Sequence, residues 1–253
     1  MEYNTLLSLI VERYNQILCK NLIGIYAHGS IGFGCFNWAR SDIDFLVVVN
    51  NPVSQQEKLQ LLEVLINLSD KTTSRGFEIS VVLRRYCEEF VYPTPFELHF
   101  SNSYLEEHSN NPMLLCHDNP QYDYDLAAHF TVIKTVGIVL YGEPITKIFG
   151  KIPKEAYLDS ICRDVEDATE NVVENPEYAI LNLCRVYTYI KDKKVLSKEK
   201  GGQWALDNLS EKYHNLIRAI IDSYVKGITI RNDELLQIDF CEYMLKLILH
   251  KKI

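Results

Sequence analysis

Residues 28–49 read HGSIGFGCFNWARSDIDFLVVV, and this stretch decides the fold of the chain. An apolar run, Leu22 to Ala27, leads into it and suits a buried strand. A glycine-rich turn follows, and eleven residues separate Ser30 from the pair Asp42 and Asp44. The stretch then ends in a second apolar run, Ile43 to Val49, that is dense in valine. The sequence therefore predicts a strand, a turn and a second strand over Ile43 to Val49, with acidic residues at its start.

The two aspartates stand at positions i and i+2. On a strand this spacing directs both side chains to the same face, with Cα atoms ~6.6 Å apart. Carboxylates so placed can flank two Mg²⁺ ions about 3.5–4 Å apart, the arrangement used for phosphoryl-type transfer. The neighbouring apolar residues, Ile43, Phe45 and Val47, are expected to face the core and to hold the two acids rigidly.

The turn before the acids suits a phosphate group. Gly29 lets the backbone approach a ligand closely, and Ser30 adds a hydroxyl donor. A nucleoside triphosphate with its metal ions is the ligand that such a turn beside two carboxylates favours.

A third acid, Glu78, interrupts the apolar run Phe77 to Leu83, which predicts a third strand. Alternation along a strand also allows an exposed position for Glu78 and Ser80. Because a strand with two aspartates is also predicted, we interpret Glu78 as part of the same metal site, which needs a third acid. That acid would complete the metal ligation or deprotonate the attacking hydroxyl.

Outside these strands most of the chain has helical periodicity. A further strand is expected near residues 97–100, and Tyr141 to Pro153 is the candidate domain boundary because it holds two glycines and two prolines. The predicted helices span residues 3–19, 55–69, 125–140, 156–173, 176–191, 197–209, 211–226 and 233–250. The prediction is an α+β chain with a mixed sheet and helices in residues 1–150 and an all-helical domain in residues 151–253.

The net charge limits the classes of partner that the chain is expected to bind. The 26 Lys+Arg against 34 Asp+Glu give a net charge of −8, and no run of five basic residues occurs. Proteins that bind the nucleic-acid backbone usually carry a basic surplus, so we expect no nucleic-acid partner. An acidic chain suits a cationic small molecule or divalent metal ions.

The cysteines and the N-terminus indicate the compartment. The seven cysteines include no CxxC pair, which argues against a zinc site or a disulfide framework and favours a reducing cytoplasm. The first 16 residues, MEYNTLLSLIVERYNQ, lack the basic region and unbroken apolar core of a signal peptide. The longest uncharged stretch, residues 21–39, contains four glycines, so we expect no membrane span.

These motifs resemble a known superfamily. An apolar strand, Gly-Ser, eleven residues and Asp-x-Asp before another apolar strand resemble the signature of the DNA polymerase β-like nucleotidyltransferases. The whole chain is similar to the aminoglycoside adenylyltransferases that modify streptomycin and spectinomycin. The likeness is carried by residues 28–49, by FEISVVL (77–83), by YPTPFELHF (92–100), by YDYDLAAHFTVIKTVGIVLYGEP (122–144) and by LNLCRVYTYIKDKKVLSKEKGGQWALDNL (181–209).

The resemblance implies a nucleotidyltransferase domain followed by a helical domain, with ATP and the antibiotic in the cleft between them. It implies that Asp42 and Asp44 are Mg²⁺ ligands and that Glu78 is a catalytic base and ligand. It also implies that Gly29, Ser30 and Ser41 contact the nucleotide. Two Mg²⁺ ions and ATP are the implied cofactor and co-substrate, and the reaction moves AMP to an acceptor hydroxyl.

The same resemblance implies roles for two groups of residues in the C-terminal half, one at the nucleotide and one at the acceptor. Lys198 matches a lysine that reaches the nucleotide phosphates, and Ser197 could cap its helix, where N–H groups and a cation converge on an anion. The resemblance also implies that the acceptor is contacted by Asn175, Glu177 and Tyr178. Members that modify streptomycin carry an aspartate where this chain has Asn175, so a spectinomycin-only or different acceptor stays open.

Two other interpretations remain. The same chemistry could serve another acceptor, such as a lincosamide, a metabolite or a protein hydroxyl. A non-catalytic, nucleotide-binding regulator is the alternative from another class, although such a module has no need of three metal-directed acids. We expect the chain to be a monomer.

Overall fold

The structure is a computed structural model that describes residues 3–102, 105, 110–117, 119, 121–229 and 233–249. The chain divides into two compact units, an N-terminal unit of residues 1–153 and a C-terminal unit of residues 154–253. The sequence placed the boundary between residues 150 and 151, close to this division. No helix in the part of the chain that the structure describes is both long and apolar enough to cross a lipid bilayer.

A five-stranded mixed sheet forms the centre of the N-terminal unit. The strands of the whole N-terminal unit, including two outside this sheet, are β1 (Leu22–Ala27), β2 (Ile43–Val49), β3 (Phe77–Leu83), β4 (Thr94–Phe96), β5 (Leu98–Ser101), β6 (Gln121–Asp123) and β7 (Ile138–Gly142). The order in the large sheet is β5-β3-β2-β1-β7, and β4 pairs with β6 in a separate two-stranded sheet. The pair β2–β3 is parallel and the other pairs are antiparallel.

Helices cover both faces of the large sheet. They are α1 (Tyr3–Leu18), α2 (Gly29–Gly32), α3 (Gln55–Leu68), α4 (Arg84–Glu88), α5 (Leu126–Val136) and α6 (Ile145–Ile148), and short 3-10 turns occur at Cys19–Asn21, Ser69–Lys71 and Pro112–Leu115. On one face Phe45 and Val47 share a core with apolar residues of α1 and α3. On the other face Leu46 and Val48 share a core with Phe130 of α5. Strand β2 is therefore buried on both sides, which fixes the backbone next to Asp42 and Asp44.

The described residues of the C-terminal unit form helices joined by turns and loops, with no strand among them. Its helices are α7 (Lys154–Arg163), α8 (Ala168–Asn171), α9 (Pro176–Asp192), α10 (Lys198–Asn208), α11 (His214–Lys226) and α12 (Glu234–Leu249), with a 3-10 turn at Glu211–Tyr213. Helix α9 is the most buried of them. A Cβ atom at Gly202 of α10 would lie 2.9 Å from Leu181 and from Ile221, so this glycine lets α10 pack closely on α9 and α11. The predicted α+β class with a helical second domain is confirmed.

Two predicted helices are wrong in extent. The helix predicted over residues 125–140 ends at Val136, because Gly137 turns to an extended conformation and Ile138–Gly142 pairs with β1 as an edge strand. The helix predicted over residues 156–173 is split into α7 and α8. Between them the amides of Val165 and Glu166 bond to the carbonyls three residues earlier, which tightens the chain into turns.

Residues 84–122 are more regular than the sequence suggested. Only a strand near residues 97–100 was predicted in this region, and the structure adds helix α4 and the β4–β6 pair. Strands β4 and β6 are short and far apart along the chain, so no local pattern indicates their pairing. The predicted last helix ends at His250, a residue outside those that the structure describes.

Candidate active site

Three acids converge at one end of the β2–β3 pair, and we call Asp42, Asp44 and Glu78 the acidic trio. One ligand oxygen from each lies within 4.8 Å of the other two. Asp44 and Glu78 are directly opposite one another in the parallel register, and Asp42 immediately precedes β2. Asp44 is buried, whereas the other two acids are partly exposed. The structure thus brings together the three acids that the sequence singled out.

The Gly29 turn lies directly against this trio. Gly29 has a φ of +52°, and a Cβ atom at this position would overlap the Oδ2 atom of Asp44. The amide of His28 donates a hydrogen bond to the carbonyl of Asp44 at 3.1 Å, which ties the turn to β2. A glycine is needed here for two reasons, a left-handed backbone and the close approach of a carboxylate.

The hydroxyl of Ser30 is buried and has no hydrogen-bond partner in the part of the chain that the structure describes. A buried hydroxyl normally finds a partner, since leaving it unpaired costs about 1–3 kcal/mol. The first N–H groups of the single-turn helix α2 likewise have no acceptor within the helix. The turn therefore presents donors beside the acidic trio, as an anionic group would need.

Ser41 has a local structural contact. Its hydroxyl accepts a hydrogen bond from the amide of Asn37 at 3.0 Å, and its own amide donates to the carbonyl of Asn37 at 2.8 Å. These bonds close the loop that delivers Asp42 to the trio. The predicted contact of Ser41 with a nucleotide stays a prediction.

Two histidines line the site, and the sequence reasoning assigned neither of them a role. The Nε2 atom of His129 in α5 lies 3.6 Å from the Oε1 atom of Glu78. The His129 ring contacts the His28 ring in a tilted arrangement, with centroids 4.9 Å apart. Burial lowers the pKa of His28 well below its usual value, and His129 acts in the same direction, so His28 is neutral at pH 7. The sequence did contain one indication of such a role, because His129 is a polar residue next to Phe130 in an otherwise apolar helix.

The residues of the trio fit a divalent cation. Carboxylate oxygens are the ligands that Mg²⁺ prefers. Three carboxylates within 4.8 Å of one another repel each other, and a bound cation would remove that repulsion. The unpaired Ser30 hydroxyl beside them is consistent with a phosphate group that arrives together with the metal ions.

In the C-terminal unit, Lys198 is the first residue of α10. The side chain of Ser197 caps this helix by accepting a hydrogen bond from the amide of Lys200 at 3.3 Å. The ammonium of Lys198 lies 4.6 Å from the centre of the Tyr178 ring, and the Tyr178 hydroxyl donates to Asp164. The structure therefore places two predicted ligand residues, Lys198 and Tyr178, in contact.

The other two predicted acceptor residues lie at the start of α9. The carbonyl of Asn175 accepts from the amide of Ala179 at 3.1 Å, but the Asn175 side chain makes no capping bond to the helix. The carboxylate of Glu177 accepts a hydrogen bond from Ser223 in α11. The binding roles of Asn175, Glu177 and Tyr178 stay predictions.

Comparisons with known protein families agree with this geometry. Residues 11–108 match the family model described as "Nucleotidyltransferase domain". Residues 147–246 match the model described as "Aminoglycoside adenylyltransferase, C-terminal domain". The first match contains the whole acidic trio and the Gly29 turn. The chain is therefore a nucleotidyltransferase.

Individual relatives point to one branch of that class. Spectinomycin 9-adenylyltransferase from Staphylococcus aureus is 26% identical over 206 residues, which is 78% of this chain and 76% of the relative. Aminoglycoside (3'') (9) adenylyltransferase from Shigella flexneri is 22% identical and covers 88% of this chain and 86% of its own length. The C-terminal family model and these relatives all describe aminoglycoside adenylyltransferases.

A solved structure shares the fold. The crystal structure of a spectinomycin adenyltransferase from Enterococcus, determined with ATP and spectinomycin, superposes with a TM-score of 0.79 at 21% identity. The match covers 96% of this chain and 98% of that one, so the similarity extends over both units.

Proposed function

We propose that this enzyme transfers AMP from ATP to a hydroxyl group of spectinomycin, in a reaction that depends on Mg²⁺, and so confers resistance to the drug. Streptomycin is the second aminoglycoside-type acceptor under this proposal. The observation that carries the proposal is the acidic trio packed against the Gly29 turn, with one oxygen from each acid within 4.8 Å of the others. The names of the relatives and the ligands of the Enterococcus structure support the choice of co-substrate and acceptor.

Under this proposal Asp42, Asp44 and Glu78 would hold two Mg²⁺ ions. When bound, these ions neutralise charge on the triphosphate and on the departing pyrophosphate. The protein's own contribution is to position the reactants. The amide groups of the Gly29 turn and the Ser30 hydroxyl would donate hydrogen bonds to phosphate oxygens, which satisfies the buried hydroxyl.

Glu78 is proposed as the base. Its side chain is 34% exposed, so an acceptor can reach it, whereas Asp44 is buried. The acceptor hydroxyl loses its proton to the Glu78 carboxylate, and its oxygen forms a bond to the α-phosphorus of ATP. The bond between that phosphorus and the oxygen of the β-phosphate breaks, and pyrophosphate leaves with the electron pair.

We also propose, from the family resemblance, that Lys198 contacts nucleotide phosphates and that Asn175, Glu177 and Tyr178 contact the acceptor. The position of Lys198 in the first turn of a capped helix favours an anionic ligand. Size-exclusion chromatography with light scattering would test the expectation of a monomer.

Pyrophosphate release tests the proposal and identifies the acceptor. The enzyme is incubated with ATP and Mg²⁺ and, separately, with spectinomycin, streptomycin or lincomycin. We expect release that requires spectinomycin or streptomycin together with Mg²⁺, and no release with lincomycin. Release with lincomycin alone would redirect the assignment to another acceptor. ATP binding without release in any reaction would favour the non-catalytic regulator.

A further inference from the structure

Helix α5 packs over the face of the sheet that carries the acidic trio, and it brings His129 to Glu78. The Nε2 atom of His129 lies 3.6 Å from the Oε1 atom of Glu78. Contacts of this length are common at unliganded catalytic sites and shorten when ligands bind.

The His129 ring is itself held in place. Its side chain is 19% exposed, and its ring contacts the His28 ring with the two planes inclined by 41°. His28 is 4% exposed and is tied through its amide to the carbonyl of Asp44. The neighbouring residue, Phe130, is fully buried in the core beneath α5. The ring therefore has little freedom to move away from Glu78.

Glu78 needs such a restraint. Its side chain has three rotatable bonds, is partly exposed, and lies within 4.8 Å of two other carboxylates that repel it. Without a nearby donor it would turn toward solvent. A group that orients a metal-directed carboxylate typically contributes about 10- to 100-fold to metal affinity or activity.

We propose that His129 is a positioning residue that orients the Glu78 carboxylate in the acidic trio. This inference rests on the proposed role of Glu78 at the metal ions. Under this proposal His129 would act by donating an N–H from its Nε2 atom to Oε1, so a different side chain with a donor at that place should replace it.

The kinetic test compares His129→Leu, which removes the donor, with His129→Gln, which retains an N–H near the same position. Thr131→Val is the matched control, because it removes a hydroxyl that, among the residues that the structure describes, bonds within α5 to the carbonyl of Ala127. We expect His129→Leu to lower kcat about 10- to 100-fold with little change in KM for ATP. His129→Gln should recover most of that loss, and Thr131→Val should match the wild type.

A second readout does not depend on turnover. Binding of Mn²⁺, a paramagnetic substitute for Mg²⁺, is measured by electron paramagnetic resonance on each variant. We expect about tenfold weaker binding in His129→Leu and near-normal binding in His129→Gln. Thermal unfolding of each variant shows whether the fold is retained.

The inference is overturned if His129→Leu keeps wild-type kcat and Mn²⁺ affinity. It is also overturned if His129→Gln, with an unchanged melting temperature, is as defective as His129→Leu. Absence of transfer by the wild type with every acceptor would instead refute the proposed function, and the Mn²⁺ comparison would still decide the role of His129.

Discussion

Gly29 adopts a left-handed backbone conformation with φ of +52° beside the carboxylate of Asp44. Gly34 has a similar φ of +70°, but a Cβ atom there would meet nothing within 4 Å. The two glycines therefore separate the cost of the backbone conformation from the cost of displacing a carboxylate. The same substitution at both positions tests which of the two matters for catalysis.

We predict that Gly34→Ala loses about 1 kcal/mol of unfolding free energy, because alanine is strained at positive φ. Gly29→Ala should lose more, because its methyl group must also displace the buried Asp44 carboxylate. Only Gly29→Ala should lose activity, by about 100-fold, since its methyl group displaces Asp44 from the trio. Urea unfolding and steady-state kinetics measure the two effects. Equal activity of the two variants would show that Gly29 is not needed to place Asp44.

His28 makes the N-terminal unit sensitive to acid. Its pKa is lowered in the folded state, so the unfolded chain binds more protons once the pH falls below the ordinary value of about 6.5. Stability from the neutral ring is fully present above that pH. It is lost at about 1.4 kcal/mol per pH unit as the pH falls toward the folded-state pKa.

The measurement uses the fluorescence of Trp38 in a Trp204→Phe background, because the chain has two tryptophans, one in each unit. We predict that replacing His28 by Gln removes most of the extra loss of stability between about pH 6.5 and pH 5. The same pH dependence in both proteins would mean that His28 is protonated as easily in the folded state as in the unfolded chain.

At the scale of elements, helix α10 presents Lys198 in its first turn, with Ser197 as its cap. Lys200 lies in the same turn and its side chain is exposed, so it is a matched control for the loss of one positive charge. We predict that Lys198→Ala raises KM for ATP about tenfold, the effect of losing one charge-assisted contact of about 1.5 kcal/mol. Lys200→Ala should leave KM near the wild-type value. Equal effects of both substitutions would indicate general electrostatics rather than a contact.

Elements built from continuous apolar runs were predictable. Strands β1, β2 and β3 have the bounds that their sequences predicted, because each run is buried on the sheet and ends at a polar or glycine residue. Strand β7 was missed because its residues continue the apolar spacing of α5. Only the pairing of these residues with β1 shows that they form a strand and not the end of the helix. Tertiary pairing of this kind is not encoded in local periodicity.

The candidate site was predictable to a similar degree. The spacing of Asp42 and Asp44 and the lone acid in β3 were enough to select the trio, although the register that sets Asp44 opposite Glu78 is visible only in the sheet. The contact between His129 and Glu78 joins residues 51 positions apart on separate elements. No motif reports it, because it depends on how α5 lies on the sheet.

At the scale of the whole molecule, the chain joins a nucleotidyltransferase unit to a helical unit, and each unit matches its own family model. The central claim is that the acidic trio of the first unit supports transfer of AMP to an aminoglycoside-type hydroxyl. Asp42 is the member of the trio best suited to a substitution, because it precedes β2 and is only partly buried. Asp42→Asn should therefore leave the fold intact.

The most direct test is the mass of spectinomycin after incubation with ATP, Mg²⁺ and either the wild type or Asp42→Asn. We predict that the wild type adds one adenylyl group to the drug. Asp42→Asn, with an unchanged melting temperature, should slow this reaction at least about 1,000-fold, because a metal ligand is lost. Adenylylated drug formed at wild-type rate by Asp42→Asn, or unmodified drug with the wild type, would contradict the account.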